Sequence, residues 1–317
     1  MNILRVAVIG AGSFGRHHVR VVSQMPDVEL VAVVDPNVEG AHKSIDEILG
    51  GVIKGIDAAI VATPTVTHES IATRLLEAGV DVLVEKPVAE TSEGAERLAR
   101  LAQKNGRILQ AGHLERFNPA VTALEKALTV PLFFEVHRLS VFTPRSLDID
   151  VVLDLMIHDL DIVLSFVGAM PEEIRAAGIS VLSSKVDIAN VRLAFASGCI
   201  ANLTASRISA EQVRKLRLFQ PGEYISLDYH RQDAVRFAIR KNEPKIGFEP
   251  LPVSPAEPLQ LELAAFFASV RDRTPPRVDA FQAAKALQVA ESILAKIKEH
   301  ADLVSETIRS QGNFPSR

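Results

Sequence analysis

The first third of the chain alternates short apolar runs with longer amphipathic stretches. A strand of a parallel sheet is covered on both faces, so its sequence is a short continuous apolar run. Such runs predict five strands, at residues 4–9, 28–34, 57–62, 81–84 and 107–111. Helical patterns lie between the runs, for example at residues 91–105, where Gly106 follows as a C-terminal stop. Strands that alternate with helices are typical of a doubly wound parallel sheet.

The pattern changes after about residue 120, where strand-like segments follow one another closely. Residues 132–141 predict a long strand, and residues 150–168 predict a helix. Further strands are predicted at residues 173–182, 186–196, 199–208, 213–219 and 223–229. Turn signals at Ser197-Gly198 and Pro221-Gly222 join neighbouring segments into hairpins, which indicates an antiparallel sheet.

Two helices complete the pattern, at residues 259–273 and 280–300, after a proline-rich stretch at 244–258 that favours a surface loop. The polar tail from Ser305 is expected to fray. A chain of 317 residues is long enough for two domains. We expect an α/β domain over residues 1–120 and an α+β domain over residues 121–317.

Composition and charge exclude several classes of protein. The 35 Lys and Arg against 39 Asp and Glu give a net charge of −4, which argues against nucleic acid or an anionic membrane as the main partner. Cys199 is the single cysteine, so the chain has no internal disulfide and no zinc site built on cysteines. No apolar run approaches the roughly 20 residues that cross a bilayer, and we see no secretory signal. These features favour a reduced, cytoplasmic setting.

A glycine-rich loop follows the first predicted strand and opens the first helix, with the sequence Gly10-Ala11-Gly12-Ser13-Phe14-Gly15. In a dinucleotide site, Gly10 permits the tight turn, Gly12 leaves room for the pyrophosphate and Gly15 lets helix and sheet approach. Backbone N–H groups at the helix N-terminus then bind the phosphates. Asp35 ends the second strand, where a carboxylate accepts hydrogen bonds from the adenosine ribose and repels a 2′-phosphate. The loop and Asp35 therefore predict an NAD site.

Two histidines, His17 and His18, follow the loop on the predicted first helix. Adjacent residues on a helix point in different directions, which argues against a shared metal ion. We predict solvent-facing or packing roles for both.

Lys86 ends the fourth predicted strand, in the sequence Glu85-Lys86-Pro87. Ligands of open parallel sheets bind at the carboxyl ends of the strands. Beside a nicotinamide, a lysine there can polarise a substrate oxygen or transfer a proton. The alternative is a solvated lysine at a strand end.

The predicted helix at 150–168 is apolar almost all round, apart from a few acidic residues and one histidine. Four polar residues are spaced to share one stripe: Asp150, Asp154, His158 and Asp161. Asp154 and His158, four positions apart, can touch, so the carboxylate can orient the imidazole. A metal site of His158, Asp159 and Asp161 and a purely structural His–Asp pair are the alternatives.

Together these motifs resemble the Gfo/Idh/MocA family of NAD(P)-dependent oxidoreductases over nearly the whole chain. The matching pieces are the glycine loop, Ala62-Thr63-Pro64-Thr65 with His68, Ala78-Gly79 before Val82-Leu83-Val84-Glu85-Lys86-Pro87, and Asp154-x-x-x-His158. The resemblance implies a Rossmann domain and then an α+β domain with a large open antiparallel sheet that commonly forms the subunit interface. A homodimer or homotetramer with NAD as cofactor and a sugar or sugar-nucleotide substrate is therefore expected.

The resemblance also implies roles for individual residues. It assigns the catalytic positions to Lys86, Asp154 and His158. It places the following residues around the ribose and nicotinamide of the cofactor: Thr63, Pro64, Thr65, His68, Glu85 and Lys86. One departure is Met156, where the family often has a glycine two residues before the histidine. We expect this departure to alter a local wall and to leave the chemistry intact.

A narrower resemblance joins residues 110–120 and 155–161 to family members that oxidise C3 of UDP-N-acetylglucosamine. Their 3-keto product feeds an aminotransferase in the synthesis of 2,3-diamino sugars for lipid A or related glycans. This resemblance implies that Arg116 and Asn118 lie near the substrate. Two alternatives stay open: a dehydrogenase of a free sugar or cyclitol such as inositol, and a non-catalytic NAD-binding regulatory protein.

Overall fold

The computed structural model describes residues 3–53, 55–143, 149–239 and 246–311. The chain divides into two compact units. The first comprises Met1–Phe117 and Ala256–Lys285, and the second comprises Asn118–Pro255 and Ala286–Arg317. The segment Ala256–Lys285 thus belongs to the first unit, whereas the order of elements along the sequence predicts it in the second domain.

The first unit contains a parallel sheet of five strands: β1 (Leu4–Ile9), β2 (Val28–Val34), β3 (Ala58–Val61), β4 (Asp81–Glu85) and β5 (Leu109–Gly112). Their order across the sheet is β2-β1-β3-β4-β5, and every neighbouring pair is parallel. This arrangement confirms the predicted doubly wound sheet. The ends of the five strands differ from the prediction by about two residues at most.

The helices are α1 (Gly15–Gln24), α2 (Ile45–Glu47), α3 (His68–Glu77), α4 (Ser92–Lys104), α5 (Pro119–Ala127), α6 (Ile157–Val167), α7 (Pro258–Asp272) and α8 (Ala280–Gln311). Helix α4 shows how the local sequence sets the ends. The Thr91 hydroxyl accepts a hydrogen bond from the Gly94 backbone N–H at 3.1 Å and caps the N-terminus. The chain leaves the other end through Gly106, with φ of +61°.

The second unit contains one sheet of eight strands: β6 (Phe133–Leu139), β7 (Glu173–Ile179), β8 (Ile188–Ala194), β9 (Ile200–Ser206), β10 (Val213–Gln220), β11 (Glu223–Asp228), β12 (Asp233–Ile239) and β13 (Ile246–Pro250). Their order is β13-β12-β11-β10-β6-β9-β8-β7. All neighbours are antiparallel except β6 and β9, which are parallel. The sheet is therefore mixed, because a long connection and not a hairpin separates β6 from β9.

Two strands at one side of the sheet, the outermost β13 and its neighbour β12, are absent from the sequence prediction. The prediction of a loop over residues 244–258 is wrong for Ile246–Pro250, which pairs with β12 in register. Residues 244 and 245 lie outside the described residues. An outermost strand tolerates Pro250 because, among the described residues, no further strand pairs with its other edge and needs an N–H there.

Helix α6 lies in the core of the second unit, together with α5 and the inner face of the sheet. The predicted helix at 150–168 begins with a π-helical turn, Val152–Met156, and continues as α6 to Val167. Gly168 ends it with φ of +73°. Helix α8 extends to Gln311, so its end lies beyond the predicted residue 300. Within the described ranges, no helix is both long enough and apolar enough to cross a membrane.

Candidate active site

The glycine loop between β1 and α1 has three glycines with different surroundings. A Cβ atom on Gly10 would lie 2.6 Å from the Ala62 carbonyl oxygen, and one on Gly15 would lie 2.0 Å from the Gly10 carbonyl oxygen. A side chain at either position would collide with the neighbouring backbone, so both positions require glycine. A Cβ on Gly12 would meet no atom within 4 Å among the described residues. The space at Gly12 is therefore available to a ligand, as the dinucleotide motif requires.

Asp35 connects the end of β2 to this loop. One carboxylate oxygen accepts the Ala11 N–H at 2.8 Å, and the other accepts the Asn37 N–H at 2.8 Å. The hydrogen bond from Ala11, followed by that from Asn37, lowers the pKa of this carboxyl below its ordinary value. Asp35 is therefore a fixed negative charge at neutral pH, in the position that the NAD motif predicts.

A cavity of about 700 Å³ lies above the carboxyl ends of β1, β2 and β3. Its lining includes seven of the residues predicted to bind the cofactor: Gly10, Gly12, Ser13, Phe14, Asp35, Thr63 and Pro64. Lys43 and Ser44 also line it, and the sequence motifs did not indicate them. The volume suits an organic cofactor, and the open space at Gly12 lies beside the N-terminus of α1. The residues present therefore fit the phosphate and ribose groups of NAD.

His68 is almost fully buried and joins the loops that follow β3 and β4. Its Nδ1 lies 2.8 Å from the Pro87 carbonyl oxygen, and its Nε2 lies 2.8 Å from the Thr63 carbonyl oxygen. Both ring nitrogens are thus occupied by backbone groups. His68 positions the loops on which Thr63 and Lys86 are carried, and its predicted contact with the cofactor stays a prediction. Thr65 lies in the short turn Thr65–Thr67 that leads into α3.

The end of β4 carries Glu85 inward and leaves Lys86 half-buried. Glu85 accepts a hydrogen bond from His18 Nε2 at 2.7 Å, and the peptide bond between Lys86 and Pro87 is cis. His18 is fully buried, while the neighbouring His17 is exposed. The packing role predicted for His18 thus includes a specific polar partner. The sequence signal for the burial of His18 was its spacing on α1. It lies three and four positions before Val21 and Val22, on the same buried face of the helix.

The predicted catalytic pair of the second unit lies on one continuous helical run. Asp154 is in the π-helical turn Val152–Met156, and His158 is in the first turn of α6. Both side chains are half-buried. Asp150, which the stripe also contains, has a structural contact, because its carboxylate accepts the Val186 N–H at 2.8 Å.

Asp159 is bound by an arginine of the neighbouring sheet. Arg138 on β6 donates to both of its carboxylate oxygens, at 2.6 and 2.9 Å, and both side chains are buried. The Arg138 guanidinium also lies 4.8 Å from the centre of the Tyr229 ring. A carboxylate held in this way is unsuited to the alternative metal site of His158, Asp159 and Asp161. Among the described residues, no group of three potential metal ligands converges.

The two residues expected near the substrate are both buried. Asn118 caps α5, since its side-chain oxygen accepts the Ala120 N–H at 3.1 Å, and its amide donates to the Tyr229 carbonyl at 3.0 Å. These contacts give Asn118 a structural role in the second unit. Arg116 lies in the short turn Leu114–Phe117 of the first unit. Substrate contact by either residue stays a prediction.

Known proteins are similar to this chain in both sequence and fold. Residues 4–113 match a model of an oxidoreductase family with an NAD-binding Rossmann fold, and residues 134–219 match a GFO/IDH/MocA C-terminal domain. UDP-N-acetylglucosamine 3-dehydrogenase of Acidithiobacillus ferrooxidans is 38% identical over 234 residues, 71% of this chain and 74% of that protein. The scyllo-inositol 2-dehydrogenase (NAD(+)) of Bacillus subtilis is 28% identical over 234 residues, 65% of this chain and 68% of that protein.

A solved structure of UDP-N-acetylglucosamine 3-dehydrogenase from Acidithiobacillus ferrooxidans is similar to this chain with a TM-score of 0.88 and 32% identity. The match covers 95% of this chain and 99% of that one. The likeness therefore extends over both units. The family match over residues 4–113, together with the cavity beside the glycine loop, identifies the first unit as an NAD-binding Rossmann domain.

Proposed function

Since this chain belongs to the Gfo/Idh/MocA family of NAD-binding oxidoreductases, we propose that it oxidises C3 of UDP-N-acetylglucosamine to a ketone. The observation that carries this proposal is the similarity to the Acidithiobacillus ferrooxidans enzyme. The sequence identity is 38% in the sequence comparison and 32% in the structural superposition. The 3-keto sugar nucleotide would be a substrate for an aminotransferase. Its further use would be the synthesis of 2,3-diamino sugars for lipid A or a related glycan.

The first unit binds the cofactor in this proposal. The backbone N–H groups of the glycine loop bind the pyrophosphate, and Asp35 accepts hydrogen bonds from the adenosine ribose. The bound NAD supplies the acceptor for the hydrogen that leaves the sugar carbon with its electron pair. Thr63, Pro64 and Thr65 surround the ribose and nicotinamide, and His68 holds the loops that carry them.

Two chemical tasks remain for side chains when the alcohol becomes a ketone. The hydroxyl proton must be accepted, and the negative charge that develops on the oxygen must be stabilised. His158 accepts the proton, and Asp154 orients the imidazole and stabilises its charged form. The ammonium of Lys86 stabilises the developing alkoxide. Arg116 and Asn118 contribute to the substrate surroundings.

Oxidation of a free cyclitol is the second candidate. The similarity to a scyllo-inositol dehydrogenase over 65% of the chain favours it, but at a lower identity of 28%. The same side chains would perform the same steps on a ring hydroxyl. The two candidates differ only in whether the nucleotide part of the substrate is required.

The second unit is proposed to form the contact between subunits of a homodimer or homotetramer. Five aromatic side chains lie in register across five neighbouring strands of its sheet: Phe133, Phe219, Tyr224, Phe237 and Phe248. Three successive ring pairs have centroid distances of 5.8, 5.2 and 4.6 Å. The residues next to them along the chain, Phe134, Leu218 and Ile225, point into the core. Successive side chains of a strand alternate between faces, so the aromatic row occupies the outer face. A row of this kind on a sheet surface supports association with a second copy.

A cytoplasmic location is part of the proposal. Burial raises the pKa of the Cys199 thiol to about 11, so the single cysteine stays protonated. A single cysteine also forms no internal disulfide, the bond that oxidising compartments favour.

The test of the proposed function is to mix the purified protein with NAD and UDP-N-acetylglucosamine. NADH formation is followed by absorbance, a hydrazine traps the ketone, and mass spectrometry examines the sugar nucleotide. Loss of two hydrogens from the sugar nucleotide, with N-acetylglucosamine and myo-inositol inactive, supports the proposal. Oxidation of inositol alone supports the second candidate. NAD binding without turnover of any sugar would favour a regulatory protein.

A further inference from the structure

A buried cluster of ionisable groups in the first unit has no task in the mechanism above. His18 comes from α1, Glu85 from the end of β4 and Glu262 from α7. Exposure is 0% for His18, 8% for Glu85 and 0% for Glu262. Ionisable side chains are seldom buried to this extent unless they are paired or functional.

Glu85 is the centre of this cluster and is held on both carboxylate oxygens. Oε1 accepts the N–H of His18 Nε2 at 2.7 Å, and Oε2 lies 3.3 Å from the Lys86 backbone nitrogen, which donates to it. The facing position on β5 is Gly112, and a Cβ atom there would lie 2.9 Å from Oε2. Gly112 therefore leaves the space that this carboxylate occupies. The His18 imidazole is connected to the Lys86 backbone through a single carboxylate.

Glu262 sets the charge of the cluster. Both of its carboxyl oxygens are buried, and neither has a hydrogen-bond partner among the described residues. Burial, and then the charge of Glu85, raise the pKa of Glu262 well above its ordinary value. The neutral form of Glu262 is therefore favoured, beside a Glu85 carboxylate that faces His18 Nε2. The side chain that β5 contributes, Gln110, is uncharged and donates to the Glu262 carbonyl at 3.4 Å.

We propose that His18 is a positioning residue for Lys86: it holds the Glu85 carboxylate, which in turn fixes the backbone from which Lys86 extends. This inference rests on the proposed catalytic role of Lys86. Without the N–H of His18, a buried Glu85 carboxylate loses its charged hydrogen bond, and its charged form is disfavoured. Lys86 then loses both its backbone anchor and a neighbouring negative charge. A loosened ammonium stabilises the substrate oxygen poorly, even where the cofactor binds normally.

The test compares His18→Leu, which removes the donor, with His18→Gln, which retains an N–H, and with His17→Gln as a matched control on the same helix. The first readout needs no substrate: the rate at which an amine-acylating reagent labels Lys86 is measured against pH by peptide mass spectrometry. We expect the midpoint for His18→Leu to fall by about half a pH unit, because the nearby negative charge is lost. The midpoints for the other two variants should equal that of the wild type.

The second readout is kinetic. In His18→Leu, kcat should fall at least about tenfold while NADH affinity, measured by fluorescence titration, changes less than about threefold. His18→Gln should restore most of kcat. Equal labelling midpoints and equal kcat in His18→Leu and wild type would overturn the inference. A wild type that oxidises no sugar overturns the proposed function instead, and the labelling midpoint still decides the role of His18.

A further variant keeps the test decisive if His18→Leu fails to fold. In Gly112→Ala the new methyl group would lie 2.9 Å from Oε2 and 3.0 Å from Cα of Glu85, so it displaces Glu85 without removing any polar group. The Lys86 midpoint should shift in the same direction as in His18→Leu. An unchanged midpoint in folded Gly112→Ala protein would contradict the role assigned to Glu85.

Discussion

Arg138 and Asp159 form a buried ion pair with two hydrogen bonds, of 2.6 and 2.9 Å, immediately after the proposed base His158. The pair joins β6 to the first turn of α6. Both side chains are at most 4% exposed. It therefore fixes the rotation of the helix turn from which the imidazole extends.

Removal of one member of this pair should be much more damaging than loss of a surface pair. Arg138→Met leaves the Asp159 carboxylate buried without its partner, which costs about 3–5 kcal/mol of unfolding free energy. Arg217→Met breaks the exposed pair with Glu135 on the same sheet and should cost about 1 kcal/mol or less. Urea unfolding of both variants measures the difference. Equal costs would show that the buried pair has no special role in stability.

Lys86→Ala should reduce turnover by about a hundredfold or more, because the developing negative charge on the substrate oxygen loses its cation. NADH affinity should persist, since the cavity beside the glycine loop is unaltered. Lys104→Ala, at the exposed end of α4, is the control and should leave both quantities unchanged. Steady-state kinetics and fluorescence titration give the two measurements. Unchanged turnover in Lys86→Ala would reject the catalytic assignment.

The glycines of the loop should respond differently to alanine. Gly12→Ala meets open space and should fold normally, yet its methyl group should weaken NADH binding by about tenfold or more by occupying the phosphate approach. Gly15→Ala should lower the melting temperature, because the new methyl group collides with the Gly10 backbone. Thermal unfolding and NADH titration separate the two effects. Normal NADH affinity in Gly12→Ala would contradict the placement of the pyrophosphate.

Asp187 makes stability depend on pH in the acid range. Burial by itself raises the pKa of this carboxyl, but hydrogen bonds from the Ser183 hydroxyl and from the backbone N–H groups of residues 181–183 lower it to about 2. Because the folded pKa lies below the ordinary value of 3.8, the stabilisation is complete above about pH 4 and is lost as the pH falls through about 2. It amounts to about 2 kcal/mol.

The measurement is the unfolding free energy of the wild type and of Asp187→Asn between neutral pH and pH 2. The difference between the two should be greatest above pH 4 and should shrink towards pH 2. Asp302→Asn, on the exposed part of α8, is the control. A difference that stays constant over the whole range would contradict the lowered pKa.

The aromatic row of the second unit should control oligomeric state. Tyr224→Lys introduces a charge at the centre of the row, so a subunit contact on this face should dissociate to monomers. Lys215→Ser, an exposed change on the same sheet, should leave the assembly intact. Light scattering after size-exclusion chromatography gives the mass. An unchanged mass in Tyr224→Lys would place the subunit contact elsewhere.

The sequence by itself determined the features that depend on near neighbours in the chain. Apolar runs predicted the five parallel strands, because a strand covered on both faces needs no polar positions. The glycine loop and Asp35 predicted the cofactor site, because their spacing reflects the fixed geometry of one strand–loop–helix unit. Gly106 marked the C-terminal end of α4, because a helix end is satisfied locally.

Only the tertiary structure decided which distant segments meet. It paired β6 with β9 in parallel, made Ile246–Pro250 an edge strand and joined α7 to the first unit. It also showed that His18 is bound to a carboxylate 67 positions away. Sequence periodicity reports which side of an element is buried, but it contains no information about the partner that lies there. The partner is set by the packing of the whole chain, and at Glu85 that packing connects a helix, two strands and the proposed catalytic lysine.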